Sequence, residues 1–198
     1  MKWMKKRKWI RLLSVALVAG ILTVGCGAKK DASGEEKTGT EKSETAKTEY
    51  DATEDKTAIS GKHHVEINVK DYGTIKVELD ADTAPITVEN FMTLAEDGFY
   101  DGLTFHRIID GFMIQGGDPN GNGTGGSDTK IKGEFEGNGV KNDISHVRGT
   151  ISMARSSAND SASSQFFIVQ SDSQYLDGEY AGFGTVTEGM EIVDQICK

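Results

Sequence analysis

Val65, Ile67 and Val69 alternate with polar residues through HHVEINVK, and Ile75, Val77 and Leu79 do so through GTIKVEL. Alternation with period two puts each trio on one face of a half-buried strand. Asp71-Tyr72-Gly73 between them is a turn sequence, so the two strands read as a hairpin. The period then changes. In DTAPITVENFMTLAEDG, Val88, Phe91, Met92 and Ala95 recur at helical spacing, with Pro85 near the start. Asp82 or Thr83 can cap this helix and Gly98 can stop it. Short strand-like runs follow: LTFHRII, FMIQGG, GTISMA, QFFIVQ and FGTVT. A last helical piece, EGMEIVDQIC, places Met190, Val193 and Cys197 on its inner face, which makes Cys197 a packing thiol and not a nucleophile. Many short strands with two helices predict a mainly β domain over residues 62–198, a closed antiparallel barrel capped by helices.

Charge divides the chain. Of 22 Lys and Arg residues, six (Lys2, Lys5, Lys6, Arg7, Lys8, Arg11) fall in the first 25 positions, where there is no acid. The other 173 residues carry a net charge of -15, which argues against nucleic-acid backbone as a partner and against electrostatic attraction to an anionic membrane. Two cysteines, Cys26 and Cys197, exclude a disulfide framework. At 198 residues the chain holds one domain with a real core.

The basic start leads into an apolar run from Leu12 to Val24, shorter than the roughly 20 residues that span a bilayer and suited to the apolar region of a secretory signal. It ends in LTVGC. The small Gly25 before Cys26 resembles the lipobox of bacterial lipoproteins, with Thr23 where Leu is usual. That resemblance implies a signal peptide over 1–25, a diacylglyceryl group on Cys26 and a lipid-anchored chain on the extracytoplasmic face of the cell membrane. Residues 26–61 continue as a lipidated Cys and a tether. Mixed Lys, Glu, Thr, Ser and Asp with almost no apolar residues cannot offset the entropy of ordering. A coil of this length reaches roughly 30–35 Å.

Two segments concentrate the chemistry: FHRIIDGFMIQGGD at 105–118, and SSQFFIVQ at 163–170 followed by YLDG at 175–178. Strand parity puts Met113 with Gln115, and Gln165 with Phe167, while Phe166 and Ile168 point the other way into the barrel. Parity does not carry across the Asp110-Gly111 turn, so counting alone leaves the face of Arg107 open. Other signals are weak. Residues 121–126, GNGTGG, satisfy G-x-G-x-x-G, but no helix follows and the phosphate-cradling context is missing. His63, His64 and His146 lack metal-ligand spacing, and His106 reads as a structural ring with a hydrogen bond. No G-x-S-x-G elbow is present.

Together with NGTGG at 122–126, these segments resemble the cyclophilin-type peptidyl-prolyl cis-trans isomerases, over essentially all of residues 62–198. The resemblance implies an eight-stranded closed antiparallel barrel with two helices and an active groove on its outer surface. It assigns Arg107 as the catalytic arginine and Gln115 as its partner and a substrate hydrogen bonder. Phe112, Met113, Phe167 and Leu176 correspond to the pocket for the proline ring. Gly123, Gln165, Ala154, Tyr175 and Tyr180 fall along the groove. Its partners would be proline-containing polypeptides, met by a monomer.

The residue types suit that reaction. Amide resonance sets a rotation barrier of about 18–20 kcal/mol, and the uncatalysed prolyl step takes tens to hundreds of seconds. No bond is made or broken, so the chemistry calls for neither metal nor cofactor; it calls for tighter binding of the twisted amide than of the planar one. A guanidinium, charged at every working pH, can donate to the nitrogen lone pair that reappears on twisting. Departures from the vertebrate pattern are Tyr175 for Trp, Tyr180 for His, Arg155 for Asn, and one extra residue within ARSSANDSASS. The Tyr175 change implies weak cyclosporin binding. A second reading, a proline-peptide binding module or chaperone with incidental turnover, uses the same groove. Arg107 and Gln115 favour the enzyme.

Overall fold

The computed structural model describes residues 59–198. The signal segment, Cys26 and the tether up to residue 58 lie outside the described residues. The first strand, β1 (Lys62–Val69), pairs antiparallel with β2 (Gly73–Asp80) through Val65↔Val77 and Ile67↔Ile75, as the alternation requires. Asp71 takes the turn's left-handed backbone at φ 67°, which an Asp side chain tolerates. Contacts with the fold begin upstream of β1: Ile59 packs against the core and Ala81 N–H donates to the Gly61 carbonyl at 3.0 Å.

The helix α1 (Pro85–Glu96) buries Thr87, Val88, Phe91 and Ala95. Pro85 at its start needs no amide partner, and Gly98 beyond its end takes φ 76°. Its cap differs from the expectation. Ala84 occupies the capping position with no side-chain bond, while Asp80 accepts from the backbone of Asp82 and Thr83 instead. The free helix amides are met from 47 residues away in sequence. Buried Glu134 accepts from Ile86 N–H at 3.1 Å, Thr87 N–H at 2.8 Å and the Thr87 hydroxyl at 2.7 Å. A carboxylate there also opposes the positive end of the helix dipole.

Five further strands follow: β3 (Arg107–Ile109), β4 (Met113–Gly116), β5 (Thr150–Met153), β6 (Phe166–Val169) and β7 (Gly182–Glu188). The chain ends in α2 (Met190–Cys197). The order is β1-β2-β7-β5-β6-β4-β3, one seven-stranded sheet with every pairing antiparallel. This corrects the closed eight-stranded barrel: among the described residues the sheet is not closed by hydrogen bonds. LTFHRII yields only three paired residues, and β3 pairs with β4 alone, so no ladder joins it to β1. Among the described residues, a single bridge outside the strands joins Ile131 to Ala162.

The core fills one face of the sheet. Phe91 sits at its centre, with ring centroids 5.1 Å from Tyr100, 5.2 Å from Phe166 and 5.2 Å from Phe183. Truncating such a ring to Ala costs about 3–5 kcal/mol through lost contact and cavity. Val193 is fully buried on the inner face of α2 and Met190 and Cys197 pack against the core beside it, as expected, while Ile192 and Ile196 widen that face. Gly189 starts that helix at φ 94°, where a Cβ would strike the backbone of Thr74 and Ile75. Burial pushes the Cys197 thiol up, in keeping with an unreactive packing role.

Candidate active site

The face of β4 and β6 opposite the core carries a second, smaller apolar cluster. Met113, Phe167 and Val169 are buried there, and Phe112, Ala154, Leu176 and Tyr180 pack against them. Phe166 and Ile168 belong to the main core, so parity along β6 sorts its residues as the sequence required. Register settles the face of Arg107. It pairs with Gln115, and Ile109 pairs with Met113, so Arg107, Gln115 and Met113 share one face across the tight turn. Gln115 pairs in turn with Phe167, and Ser152 pairs with Phe167 from the other side.

Hydrogen bonds order the polar half of this face. Arg107 donates from Nη1 to Gln115 Oε1 at 3.2 Å. Gln115 Nε2 donates to Gln165 Oε1 at 2.9 Å. Gln165 Nε2 donates to the carbonyls of Gly125 at 2.6 Å and Gly123 at 3.2 Å. The direction of the whole chain follows from its last members. Backbone carbonyls only accept, so they hold the Gln165 amide with its nitrogen outward, its oxygen toward Gln115, and the Gln115 oxygen toward Arg107.

The glycine loop is itself anchored. Buried Asp118 accepts from the backbone N–H groups of Asn120 at 2.8 Å and Asn122 at 3.0 Å, and from Gly123. Burial raises its carboxyl, but these amides and that of Gly125 outweigh burial and hold it below the usual carboxylate range. A Cβ at Gly125 would overlap the Asp118 carboxylate, so glycine is required at that closest approach. The loop therefore works as a scaffold for carbonyls, not as a phosphate cradle. A polar hollow of about 380 Å³ opens beside Gln165, Ala154 and Arg155. A roomier one of about 510 Å³ lies at Asp110, Arg148 and Asp172, contains none of the groove residues, and has its guanidinium engaged by Asp194.

The rim is aromatic. Tyr175 is 71% exposed, its ring 6.0 Å from that of Phe112. Tyr180 stands edge-on to Phe167 at 5.8 Å and 86°. Arg155 lies between Phe135 and Tyr180, 4.9 Å from each ring, and donates to the Glu179 carbonyl at 3.0 Å. Its side chain also donates to the carbonyl of Ser156, which holds the irregular loop after β5 in place.

All of the expected groove residues meet on this face, Gly123 through its carbonyl and Ala154 through its contact with the apolar cluster. Two features escaped the sequence reading. Asp118 was legible only as the end of a Gly-Gly-Asp run. His146, dismissed for want of metal spacing, is fully buried beneath the apolar cluster: its Nδ1 lies 2.8 Å from Asp177 Oδ1 and its Nε2 2.9 Å from Ser152 Oγ. No metal or nucleophile motif signals that trio, because Asp177 lies 31 residues from His146 and joins it and Ser152 only in the folded chain. His106 is corrected: its ring nitrogens are shielded and have no hydrogen-bond partner among the described residues, since the irregular segment before β3 turns the ring toward Gly123.

Known proteins are similar to this chain over most of the described residues. The family model for cyclophilin type peptidyl-prolyl cis-trans isomerase/CLD matches residues 64–198. Peptidyl-prolyl cis-trans isomerase B of Bacillus subtilis is 49% identical over 130 residues, covering 66% of this chain and 87% of that protein. A peptidyl-prolyl cis-trans isomerase of Helicobacter pylori is 44% identical over 149 residues, covering 74% and 87%. The crystal structure of a Cryptosporidium parvum cyclophilin type isomerase, determined in the presence of the dipeptide Ala-Pro, superposes with TM-score 0.63 at 35% identity, covering 69% of this chain and 85% of that one. A family match over nearly all of the described fold, joined by relatives of this identity, means that the chain belongs to the cyclophilin-type peptidyl-prolyl cis-trans isomerases.

Proposed function

We propose that isomerisation takes place in the groove of Arg107, Gln115, Met113 and Phe167, and that the enzyme is held by lipid on Cys26 at the extracytoplasmic membrane surface, where it assists the folding of exported proteins. The observation that carries the catalytic part is the directed chain from the Gly125 carbonyl through Gln165 and Gln115 to Arg107, lying beside a buried Met-Phe pocket. A proline ring seated against Met113, Phe167 and Leu176 would bring its nitrogen near the guanidinium. Twisting the amide frees the nitrogen lone pair, and Arg107 donates to it. The guanidinium is already oriented by Gln115, so little reorganisation accompanies the step. Glutamine amides hold the substrate carbonyl while the far side turns. The relative crystallised in the presence of Ala-Pro supports a prolyl dipeptide as the minimal ligand.

The anchoring part rests on the basic start, the apolar run and Gly25-Cys26. With a tether of 26–61, the monomeric domain would work at a short standoff from the bilayer. Arg107→Ala tests the catalytic reading. kcat/KM on a prolyl peptide should fall by about 2–4 kcal/mol of transition-state stabilisation. The circular dichroism spectrum should stay unchanged, because Arg107 is exposed and outside the core. Full activity in a folded variant would remove Arg107 from the role.

A further inference from the structure

We propose that His146 is a positioning residue for the proline pocket, tying β5, β6 and the Tyr175–Asp177 turn together behind it, and that protonating this one ring loosens substrate binding. The proposal rests on the assignment of Met113, Phe167 and Leu176 as that pocket. The His146 ring lies nearly parallel to Phe167, with centroids 6.0 Å apart and planes 19° apart, and meets Tyr180 edge-on at 6.5 Å. Phe167, Tyr180 and Leu176, which adjoins Asp177, all belong to the pocket's apolar cluster. One imidazole thus contacts two walls directly and reaches the third through a carboxylate.

Its tautomer is determined by its partners. Asp177 Oδ1 accepts from the His146 backbone N–H at 2.7 Å, and Oδ2 accepts from the Ser145 hydroxyl at 2.7 Å. A carboxylate so engaged can only accept, so the hydrogen on His146 sits at Nδ1. The neutral ring then accepts at Nε2 from the Ser152 hydroxyl, and Ser152 is fully buried on the strand that pairs with Phe167. Burial lowers the imidazole's affinity for a proton, and this outweighs the raising effect of Asp177. A second proton would force Ser152 to turn its hydroxyl away and would place a charge against the face of Phe167. Asp177 and the Tyr180 ring are the titratable groups facing the imidazole; β5 and β6 present Ser152 and Phe167, which do not titrate in the working range.

The test uses the folded domain with its natural sequence. Nuclear magnetic resonance of the free protein follows His146 ring signals and the side-chain signals of Phe167 and Leu176 from pH 7.5 downward. A common midpoint for all three is the result expected. Prolyl-peptide kinetics over the same range should show KM rising several-fold through that midpoint while kcat changes less than twofold. In His146→Phe, which keeps a ring over Phe167 and loses both hydrogen bonds, KM should be raised several-fold at every pH, and its acidic limb should be gone. Phe167 and Leu176 signals that ignore the His146 titration overturn the proposal, as does a folded His146→Phe with natural KM and pH profile. If that variant does not fold, the titration of the natural protein decides alone. Arg107→Ala should keep the His146–Phe167 coupling while losing turnover, so failure of the catalytic assignment is distinguishable from failure of this one.

Discussion

Gln115 and Gln165 meet amide to amide, the Nε2 of the first donating to the Oε1 of the second at 2.9 Å from 50 residues away in sequence. Neither side chain has its orientation dictated locally. The Gly123 and Gly125 carbonyls orient Gln165, which orients Gln115, which holds Arg107. The consequence is that a residue two hydrogen bonds from the guanidinium controls where it points.

Gln165→Glu tests this directly. A carboxylate cannot donate to the two glycine carbonyls, so it would be repelled by them and the chain would lose its direction. The expected loss in kcat/KM is about 1–3 kcal/mol, the range for a broken buried polar contact. Thermal stability should move little, since Gln165 is only partly buried. Unchanged kinetics in this variant would show that Arg107 is oriented by something else.

Glu134 should matter to stability and hardly at all to turnover. Its carboxylate satisfies two otherwise free amides of α1 and the Thr87 hydroxyl. Glu134→Ala leaves all three without their acceptor, at a cost of about 2–3 kcal/mol. Urea denaturation should report that loss, while kcat/KM at a temperature where the variant is folded should match the natural chain.

Stability should decline in two stages as the pH falls. His146 binds its proton less readily in the folded chain than in the unfolded one, chiefly through burial. The unfolded state therefore takes up more protons below the ordinary histidine value of about 6.5, and stability falls with pH from there, by at most about 1.4 kcal/mol per unit. The contribution is whole above 6.5 and is lost on the way down to the folded value. Asp118 and Asp160 are depressed in the folded state: Asp118 by backbone amides that outweigh burial, Asp160 mainly by the Gly133 amide and Asn138. Their stabilisation is present above about 3.8 and is lost only below it. Denaturant midpoints at pH 7.5, 5.5, 4.5 and 3 should show both stages, and His146→Phe should abolish the first.

Tyr175 predicts a weak response to cyclosporin. The resemblance to the vertebrate-type members implies a Trp at this rim position that would donate its indole N–H to the drug. Tyr175 is 71% exposed and presents a flat ring with its donor at the phenolic tip, where the same bond cannot form. The lost bond and contact should cost about 1–3 kcal/mol of inhibitor binding. Tyr175→Trp should tighten inhibition accordingly and leave the turnover of short prolyl peptides unchanged. Equal inhibition of the two proteins would sink the rim argument.

Lipid on Cys26 is checked by fractionation and by the mass of the mature N-terminal peptide. The natural chain should sediment with membranes and carry a diacylglyceryl mass, and Cys26→Ser should do neither. A Ser variant that stays membrane-bound with the same peptide mass would refute the anchor.

Period-two alternation in β1 and β2, and the helical spacing of Val88, Phe91 and Ala95, identified those elements because each is a local pattern and one face of each is buried. The same parity correctly sent Phe166 to the core and Phe167 to the groove. The Arg107 and Gln115 segments were legible as chemistry through the resemblance of their runs to a known family. Whether Arg107 faces Met113 was decided only by the register of β3 against β4, because a tight turn hides parity from any count along the chain. The cap on α1 was misplaced for a related reason: the sequence offers Asp82 and Thr83 nearby, but Glu134 reaches the helix from a distant loop. The open edge of β3 likewise depends on which residues find a ladder partner, not on their β-propensity. Asp177 joins His146 and Ser152 only when a turn 31 residues further along packs against them, and burial by the whole fold is what disfavours a second proton on that imidazole.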